Sequence, residues 1–300
     1  MERLAALQIL VKVIDTGSFS AAGRQLNLGQ PSVSKAVAQL ERRLGVPLIL
    51  RSSRKLTPTE AGREFYRHAK RAIEEAVEAE AAARGAGGSL AGVLKFAAPP
   101  TFARLHIVPH LPEFLGQHPA LRIDAVLDDR RTHLIEEGID VAFRVGTPED
   151  SSVVARRIGR SRSLVVGSPR YFMRAGRPGQ PRDLTQHRAL VYCGTRLFNS
   201  WTFRKGTRKE AVSLTDVFRA TSIEALREAA LAGLGLFITT EWVVHTALRA
   251  GALETALDDW TLPAFDMHAV FPGGRRTSAK ARAFTRFIES QLRASGFNPP

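Results

Sequence analysis

The 300-residue sequence predicts a mixed α/β protein in three parts: a small basic helical unit, one long helix, and a larger α/β unit of two lobes. Three observations carry this. Apolar positions recur at helical spacing through roughly the first 84 residues. A small-residue break, Gly85-Ala86-Gly87-Gly88-Ser89, reads as a flexible linker. Beyond it, short apolar strands alternate with helices, the pattern of an α/β architecture.

Leu4, Leu7, Val11 and Ile14, with Leu10 beside them, mark one face of a first helix, and Gly17 ends it. Ser18 or Ser20 caps a short second helix over residues 21–26. Asn27-Leu28-Gly29 is a turn, because Asn and Gly tolerate left-handed backbone angles. A third helix covers about residues 30–44, with Val33, Val37, Leu40 and Leu44 as its buried stripe. Pro31 falls in its first turn, where a missing N–H costs nothing. Two helices joined by a tight turn, the second starting with small polar side chains, form the helix-turn-helix pattern. Its outward side is Gln30, Ser32, Ser34 and Lys35. Gln makes paired hydrogen bonds to adenine, Ser donates or accepts at several base edges, and Lys reaches guanine or a phosphate. A small basic bundle fits the same spacing.

Gly45-Val46-Pro47 stops that helix. Residues 48–51 read as a short strand, Ser52-Ser53 as a polar turn, and Arg54-Lys55-Leu56 as the return. This is a basic-tipped hairpin of the wing type, suited to phosphates or a minor groove. Thr57-Pro58-Thr59-Glu60 then stacks helix-start signals: Thr57 as cap, Pro58 at the first helical position, Glu60 completing a capping box. The helix runs to about Arg84, about 40 Å at 1.5 Å per residue. Ala61, Phe65, Ala69, Ala72 or Ile73, Ala76, and Ala79 or Ala83 form a stripe narrow enough for one partner helix. It reads as a dimerisation arm, with folding back on its own chain as the alternative.

Charge agrees with a polyanionic partner. The chain holds 43 Lys and Arg against 29 Asp and Glu, a formal net charge of +14, and its pI is near 10.9. Residues 1–73 hold 13 of the basic and 5 of the acidic residues, so the excess is densest over the helix-turn-helix and wing. A solvated basic surface is the plain alternative. No apolar run reaches the ~18 residues of a membrane helix. The stretch 4–14, interrupted by Gln8 and Lys12, does not make a signal peptide. A single cysteine, Cys193, fits a reducing cytosol, so a cytoplasmic protein with no membrane partner is expected.

Enzyme chemistry finds no support. The eight histidines show no HExxH or close pairing, and no GxSxG elbow occurs. Gly233 and Gly235 lack the third glycine of a dinucleotide fingerprint, and Gly273-Gly274-Arg275-Arg276 lacks the Walker ending. Asp128-Asp129 and Asp258-Asp259 read as strand neighbours facing opposite ways. No cofactor, no metal and no catalytic residue is expected.

In the last two hundred residues, strands are expected at 93–97, 121–127, 140–145, 234–239 and 267–271. Helices are expected at about 101–116, 132–137, 222–232 and 241–250, and as a last one opened by Thr277 or Ser278. In that last helix Ala283, Phe284, Phe287, Ile288 and Leu292 face inward. Irregular crossings near 147–165 and 261–267 divide the βα units into two lobes. Helix N-termini bind anions, which makes Thr101 and Ser222 the first candidates for ligand contact. Arg144, at a strand end, can pair with a carboxylate or form a plain salt bridge.

The chain resembles the LysR-type transcriptional regulators over essentially its whole length. The matching residues are Gly17-Ser18-Phe19-Ser20-Ala21-Ala22, Gln30-Pro31-Ser32-Val33-Ser34, Leu40-Glu41, Leu44-Gly45, Leu48, Arg51, Arg54, Leu56-Thr57 and Thr59-Glu60-Ala61-Gly62. Further on they are Asp128-Asp129-Arg130, Glu136-Glu137-Gly138, Asp140-Val141-Ala142, Arg144-Val145-Gly146, Val154-Ala155-Arg156-Arg157 and Ala232-Gly233-Leu234-Gly235. Two departures stand out. Gly29 replaces the usual Ser before the recognition helix, and Ile238-Thr239-Thr240 lacks a proline that relatives often carry.

The resemblance implies a winged helix-turn-helix DNA-binding domain over residues 1–58 and a linker and dimerisation helix with its hinge over 59–89. It implies a periplasmic-binding-protein-like effector domain over 90–300, lobe I at about 90–161 and 267–300 and lobe II at about 162–266. Double-stranded DNA would meet Ser18, Ser20, Gln30, Pro31, Ser32, Ser34, Lys35, Arg51, Ser52, Ser53 and Arg54. A small-molecule effector, with an organic anion favoured by the basic domain, would meet Pro100, Thr101, Phe102, Arg144, Gly146, Ser200, Trp201, Thr221 and Ser222. The implied assembly is a homodimer through the long helix and a homotetramer of two such dimers, with RNA polymerase as a further partner. The rival reading is a cytosolic small-molecule-binding protein or enzyme of the same bilobed fold with no specific DNA target.

Overall fold

The computed structural model describes residues 3–51, 56–83, 90–130, 134–135, 137–146, 153–194, 200–272 and 277–297. The chain divides into two compact units, Met1–Gly92 and Val93–Pro300. In the first, α1 (Arg3–Thr16), α2 (Phe19–Leu26) and α3 (Gln30–Leu44) are followed by a two-stranded antiparallel ribbon of β1 (Ile49–Arg51) and β2 (Leu56–Pro58), and then by α4 (Glu60–Ala83). Ile9, Leu10 and Val13 of α1, Ala22 of α2 and Val33, Val37 and Leu40 of α3 converge with Leu48 on one core. Each such aliphatic side chain contributes about 1.5–3 kcal/mol through burial. Ser18 caps α2 by accepting from the Ala21 N–H at 3.3 Å, and Asn27 ends it with φ +54°.

Three expectations need correction here. Leu44 is 38% exposed, because α3 ends at Gly45 before that turn can reach the core. The helix starts two residues later than the sequence signals suggest, at Glu60 and not Pro58. Thr57 and Pro58 pair with Leu50 and Ile49 in the ribbon, and Thr59 is the residue whose Oγ1 accepts from the Gly62 N–H at 2.8 Å. Strand pairing therefore overrides the Thr57-Pro58 start signal. Ala61 is exposed, and Gly62 takes the buried place beneath the ribbon. A Cβ there would come within 1.9 Å of the Leu48 carbonyl oxygen, so only glycine fits.

The second unit begins with β3 (Ala91–Ala98) and α5 (Pro100–Phe102). A π-helical turn at Ala103–Ile107 and a 3₁₀ turn at Val108–His110 lead into α6 (Leu111–Gln117) and then β4 (Ala120–Leu127). After β5 (Val141–Val145) come β6 (Val154–Ser161) and β7 (Ser163–Gly167), joined at Arg162. Next are α7 (Pro169–Ala175), a 3₁₀ turn at Pro181–Gln186, β8 (Ala189–Tyr192), the hairpin β9 (Ser200–Lys205) and β10 (Arg208–Ser213), and β11 (Asp216–Ala220). The chain closes with α8 (Ile223–Leu231), β12 (Leu236–Thr240), α9 (Glu241–Arg249), β13 (Glu254–Ala256), β14 (Phe265–Phe271) and α10 (Ala279–Ala294).

These strands form two five-stranded sheets, one per lobe: β4-β3-β5-β14-β6 and β11-β8-β12-β7-β13. β3 runs parallel to β5, and β8 runs parallel to both β11 and β12. The crossing expected to be irregular near 147–165 holds two regular strands. β6 ends the first sheet and β7 opens the second, with Arg162 alone between them. The return is short because β14 begins at Phe265. Of the helix expected at 132–137, residues 132, 133 and 136 lie outside the described residues, and Leu134, Ile135 and Glu137 form turns.

The two cores differ in make-up. In the first lobe Phe96, Phe143 and Phe284 stack edge-on or tilted around α10, with Phe114 against Phe284. The second lobe packs Tyr171, Phe172, Trp201, Phe203, Trp260 and the aliphatics of β7 and β12 into one cluster. Phe297, beyond α10, meets the His106, Trp242 and His245 rings and so joins the lobes from the side.

Candidate nucleic-acid interface and interlobe cleft

The recognition helix α3 separates its residues cleanly. Val33, Ala36, Val37 and Leu40 are buried, while Gln30, Pro31, Ser32 and Lys35 are exposed and Ser34 is half-buried. Gly29 holds the N-cap position at φ −65°, ψ 142° with no side-chain hydrogen bond. Its carbonyl oxygen accepts from the Ser32 N–H at 3.0 Å and the Val33 N–H at 3.2 Å, and Pro31 carries no N–H. Ser20 Oγ donates to Gln30 Oε1 at 2.8 Å, which ties the side chain best suited to adenine to the preceding helix. Ser18 is engaged as the α2 cap. Sequence reasoning missed Glu41. Its Oε1 accepts from the Leu48 N–H at 2.8 Å and the Ile49 N–H at 3.0 Å, fixing the start of the ribbon to the recognition helix. Arg51 ends β1, and Ser52, Ser53 and Arg54 lie outside the described residues.

In the second unit, Thr101, Ser222 and the loop after β4 meet where the two lobes face each other. Thr101 is buried at 1% exposure, and its Oγ1 donates to Glu224 Oε2 at 2.8 Å. Arg104 Nη2 donates to Glu224 Oε1 at 2.7 Å. From the other side, Asp129 Oδ2 accepts from the Ile223 N–H, the first of α8, at 3.0 Å. Tyr192 OH donates to the Asp129 carbonyl oxygen at 3.1 Å. Ser222 caps α8 by accepting from the Ala225 N–H at 3.3 Å, and Thr221 beside it is exposed. Burial pushes the Asp129 carboxyl up from the ordinary aspartate range; the Ile223 N–H opposes this, and Asp128 and Glu224 reinforce it. Burial also raises the Tyr192 phenol, helped by Asp129.

The remaining predicted contacts do not converge as directly. Phe102 is 2% exposed, enclosed by Phe143, Trp242 and His106. Trp201 is likewise buried in the second-lobe core, against Phe265, while Ser200 before it is exposed. Pro100 is half-buried. Arg144 Nη1 donates to the Arg130 carbonyl oxygen at 3.1 Å. Gly146, at φ +86°, closes β5 by donating its N–H to the Asp266 carbonyl oxygen at 2.8 Å. Deeper in, His106 Nε2 lies 2.8 Å from the Trp242 carbonyl oxygen, and burial, with His245 and His110 nearby, holds the imidazole pKa down.

Asp128 and Asp129 sit in a turn after β4, not within a strand. Their side chains still diverge: Asp128 accepts from the Arg130 N–H, and Asp129 from Ile223. An open depression of about 670 Å³ along α9 and β13 contains none of the predicted contacts. Its charges are largely paired, Arg162 with Glu241 and Arg177 with Glu254. Among the described residues no three His, Cys, Asp or Glu side chains gather into a metal-binding group. Nor is any described helix long and apolar enough to cross a membrane.

A family model for the bacterial regulatory helix-turn-helix protein of the lysR family matches residues 4–63, and one for the LysR substrate binding domain matches residues 87–293. The chain belongs to the LysR family of transcriptional regulators. Similar proteins include an HTH-type transcriptional regulator of Xanthomonas campestris pv. campestris, 36% identical over 288 residues, 95% of this chain and 84% of the relative. Another is CrgA of Neisseria meningitidis serogroup C, 30% identical over 288 residues, 95% of this chain and 96% of the relative. The solved CrgA structure aligns over 99% of this chain and 100% of its own, with a TM-score of 0.62 at 28% identity. As a LysR-type regulator, the protein combines a helix-turn-helix DNA-binding domain with a two-lobed domain that binds an effector.

Proposed function

We propose that this LysR-type regulator reads a dyad-symmetric operator in double-stranded DNA through Gln30, Ser32, Ser34 and Lys35. Ser18, Ser20, Pro31, Arg51, Ser52, Ser53 and Arg54 set its register on the phosphates. The observation that carries this reading is the polar, exposed first turn of α3 standing over a fully apolar buried face, with an N-cap free of any side-chain bond. On the proposed division, residues 1–58 bind DNA, 59–89 pair two chains, and 90–300 sense a small molecule between the lobes. Two dimers assemble into a tetramer in the cytoplasm, each placing two recognition helices about one DNA turn, about 10 bp, apart. The protein catalyses no reaction, and its contact with RNA polymerase follows from bending the promoter. Thr101, Arg144, Gly146, Thr221 and Ser222, with Pro100, Phe102, Ser200 and Trp201 behind or beside them, form the effector site, and an anion suits its donors.

The test is equilibrium binding to operator and unrelated DNA across a salt series. Lys35→Ala should weaken both and lower the salt slope by about one, the signature of a lost phosphate contact. Gln30→Ala should cost about 1–3 kcal/mol on the operator alone. Equal loss on both DNAs from Gln30→Ala would overturn the base-reading assignment.

A further inference from the structure

Each lobe lends a carboxylate to the other. Asp129, in the first lobe after β4, sits on the Ile223 N–H of the second lobe at 3.0 Å. Glu224, in the second lobe, sits on Thr101 Oγ1 at 2.8 Å and Arg104 Nη2 at 2.7 Å of the first. The donors an anionic ligand would seek in this cleft, a helix-start N–H, a buried hydroxyl and a guanidinium, are thus already satisfied by the protein's own acids. Tyr192 OH adds a third bond across the lobes to the Asp129 carbonyl oxygen. Asp129 is partly buried beside Asp128 and Glu224, and Glu224 in turn is paired with Arg104 and Arg227.

We propose that Asp129 and Glu224 are internal ligands of the cleft, and that an effector bearing a carboxylate or phosphate works by displacing them. The inference rests on the effector-sensing reading above and deepens it. Displacement exchanges one set of charge-assisted bonds for another, so the ligand's net gain is small at each donor. What differs between the two states is the lobe-to-lobe linkage. Asp129 holds lobe I to α8 while it occupies Ile223, whereas an external carboxylate on Ile223 leaves lobe I free to move. That difference is what a ligand needs in order to shift a conformational equilibrium. Asp129 and Glu224 are therefore residues that set which ligands act: a neutral molecule lacks the group that replaces them.

Amide hydrogen exchange on the full-length protein tests this, with acetate as the probe. Asp129→Ala removes the internal carboxylate and opens the Ile223 N–H to a carboxylate entering from the cleft side, as acetate can. Exchange at Ile223 should rise by about tenfold or more. Millimolar acetate should restore it, chloride at equal ionic strength should not, and the wild type should be indifferent to both. Glu224→Ala provides an independent arm, with acetate-dependent protection expected over residues 101–104. Should Asp129→Ala not fold, the Glu224→Ala arm decides. Unchanged exchange in the variants, or acetate acting equally on wild type and variants, would overturn the proposal. No DNA enters this experiment, so failure of operator recognition would sink the regulator reading separately.

Discussion

At Gly29 the recognition helix starts with cap geometry and no cap side chain. The nearest atom to a built Cβ is Pro31 Cδ at 3.7 Å, an ordinary contact, so a serine fits without displacement. Gly29→Ser should add about 0.3 kcal/mol to the stability of the DNA-binding unit, by giving the Ser32 N–H, which already donates to the residue 29 carbonyl oxygen at 3.0 Å, a second acceptor. Calorimetry on the full chain would show this as a small rise in the first unit's transition; a fall would mean that the loop is strained. Asp129 offers a second prediction of opposite kind. Its folded pKa is raised, so its protonated form favours folding at acid pH, and that contribution is lost as pH rises through the raised value. Asp129→Asn keeps an acceptor for Ile223 without the buried charge. The variant should melt above the wild type near neutral pH, and the gap should close as pH falls toward the ordinary aspartate value of about 3.9. A pH-independent gap would show that charge burial is not the cause.

Between elements, the decisive contact in the first unit is the one between α3 and the ribbon. Glu41 accepts from two backbone N–H groups, Leu48 and Ile49, at the start of β1. Glu41→Ala should cost about 1–3 kcal/mol and loosen the wing. Weaker DNA binding with unchanged base preference would be the accompanying result, read by the same operator-versus-unrelated comparison. Preserved stability would mean that the ribbon is held from elsewhere. Glu41 illustrates what is legible in a sequence and what is not. The helical periodicity of α1 to α3 and the Pro31 position read directly, because they depend on local spacing. Glu41 reads as one more charged residue on an exposed face, since its bonds lie seven and eight residues away across a turn. The start of α4 was misplaced for a similar reason: Thr57-Pro58 carries strong local signals, and pairing with Leu50 and Ile49 outweighs them.

Across the whole molecule, the βα alternation and the two lobes were legible from strand-length apolar runs. The strands β6 and β7 were not, because Arg156, Arg157, Arg160 and Arg162 break the apolar pattern of that crossing. The cleft was half legible. Thr101 and Ser222 follow from where helices begin, and the structure brings both to the lobe boundary. Asp129 reads in the sequence only as half of an acid pair and part of the family match, and Glu224 not at all, because their partners belong to the opposite lobe, about a hundred residues distant. Phe102 and Trp201 are buried against other aromatic rings, where an aromatic side chain gains most, so any part they take in the effector site is from behind its polar groups.

On the proposed function, the basic charge of the first unit serves a sequence-specific reader and not a general affinity for polyanions. The most direct measurement is sequencing of genomic DNA fragments retained by the full-length protein at about 150 mM salt, where non-specific phosphate binding is suppressed. One or a few dyad-symmetric sites should be recovered and should persist as salt is raised further. Uniform recovery across the genome, vanishing with modest added salt, would contradict that function.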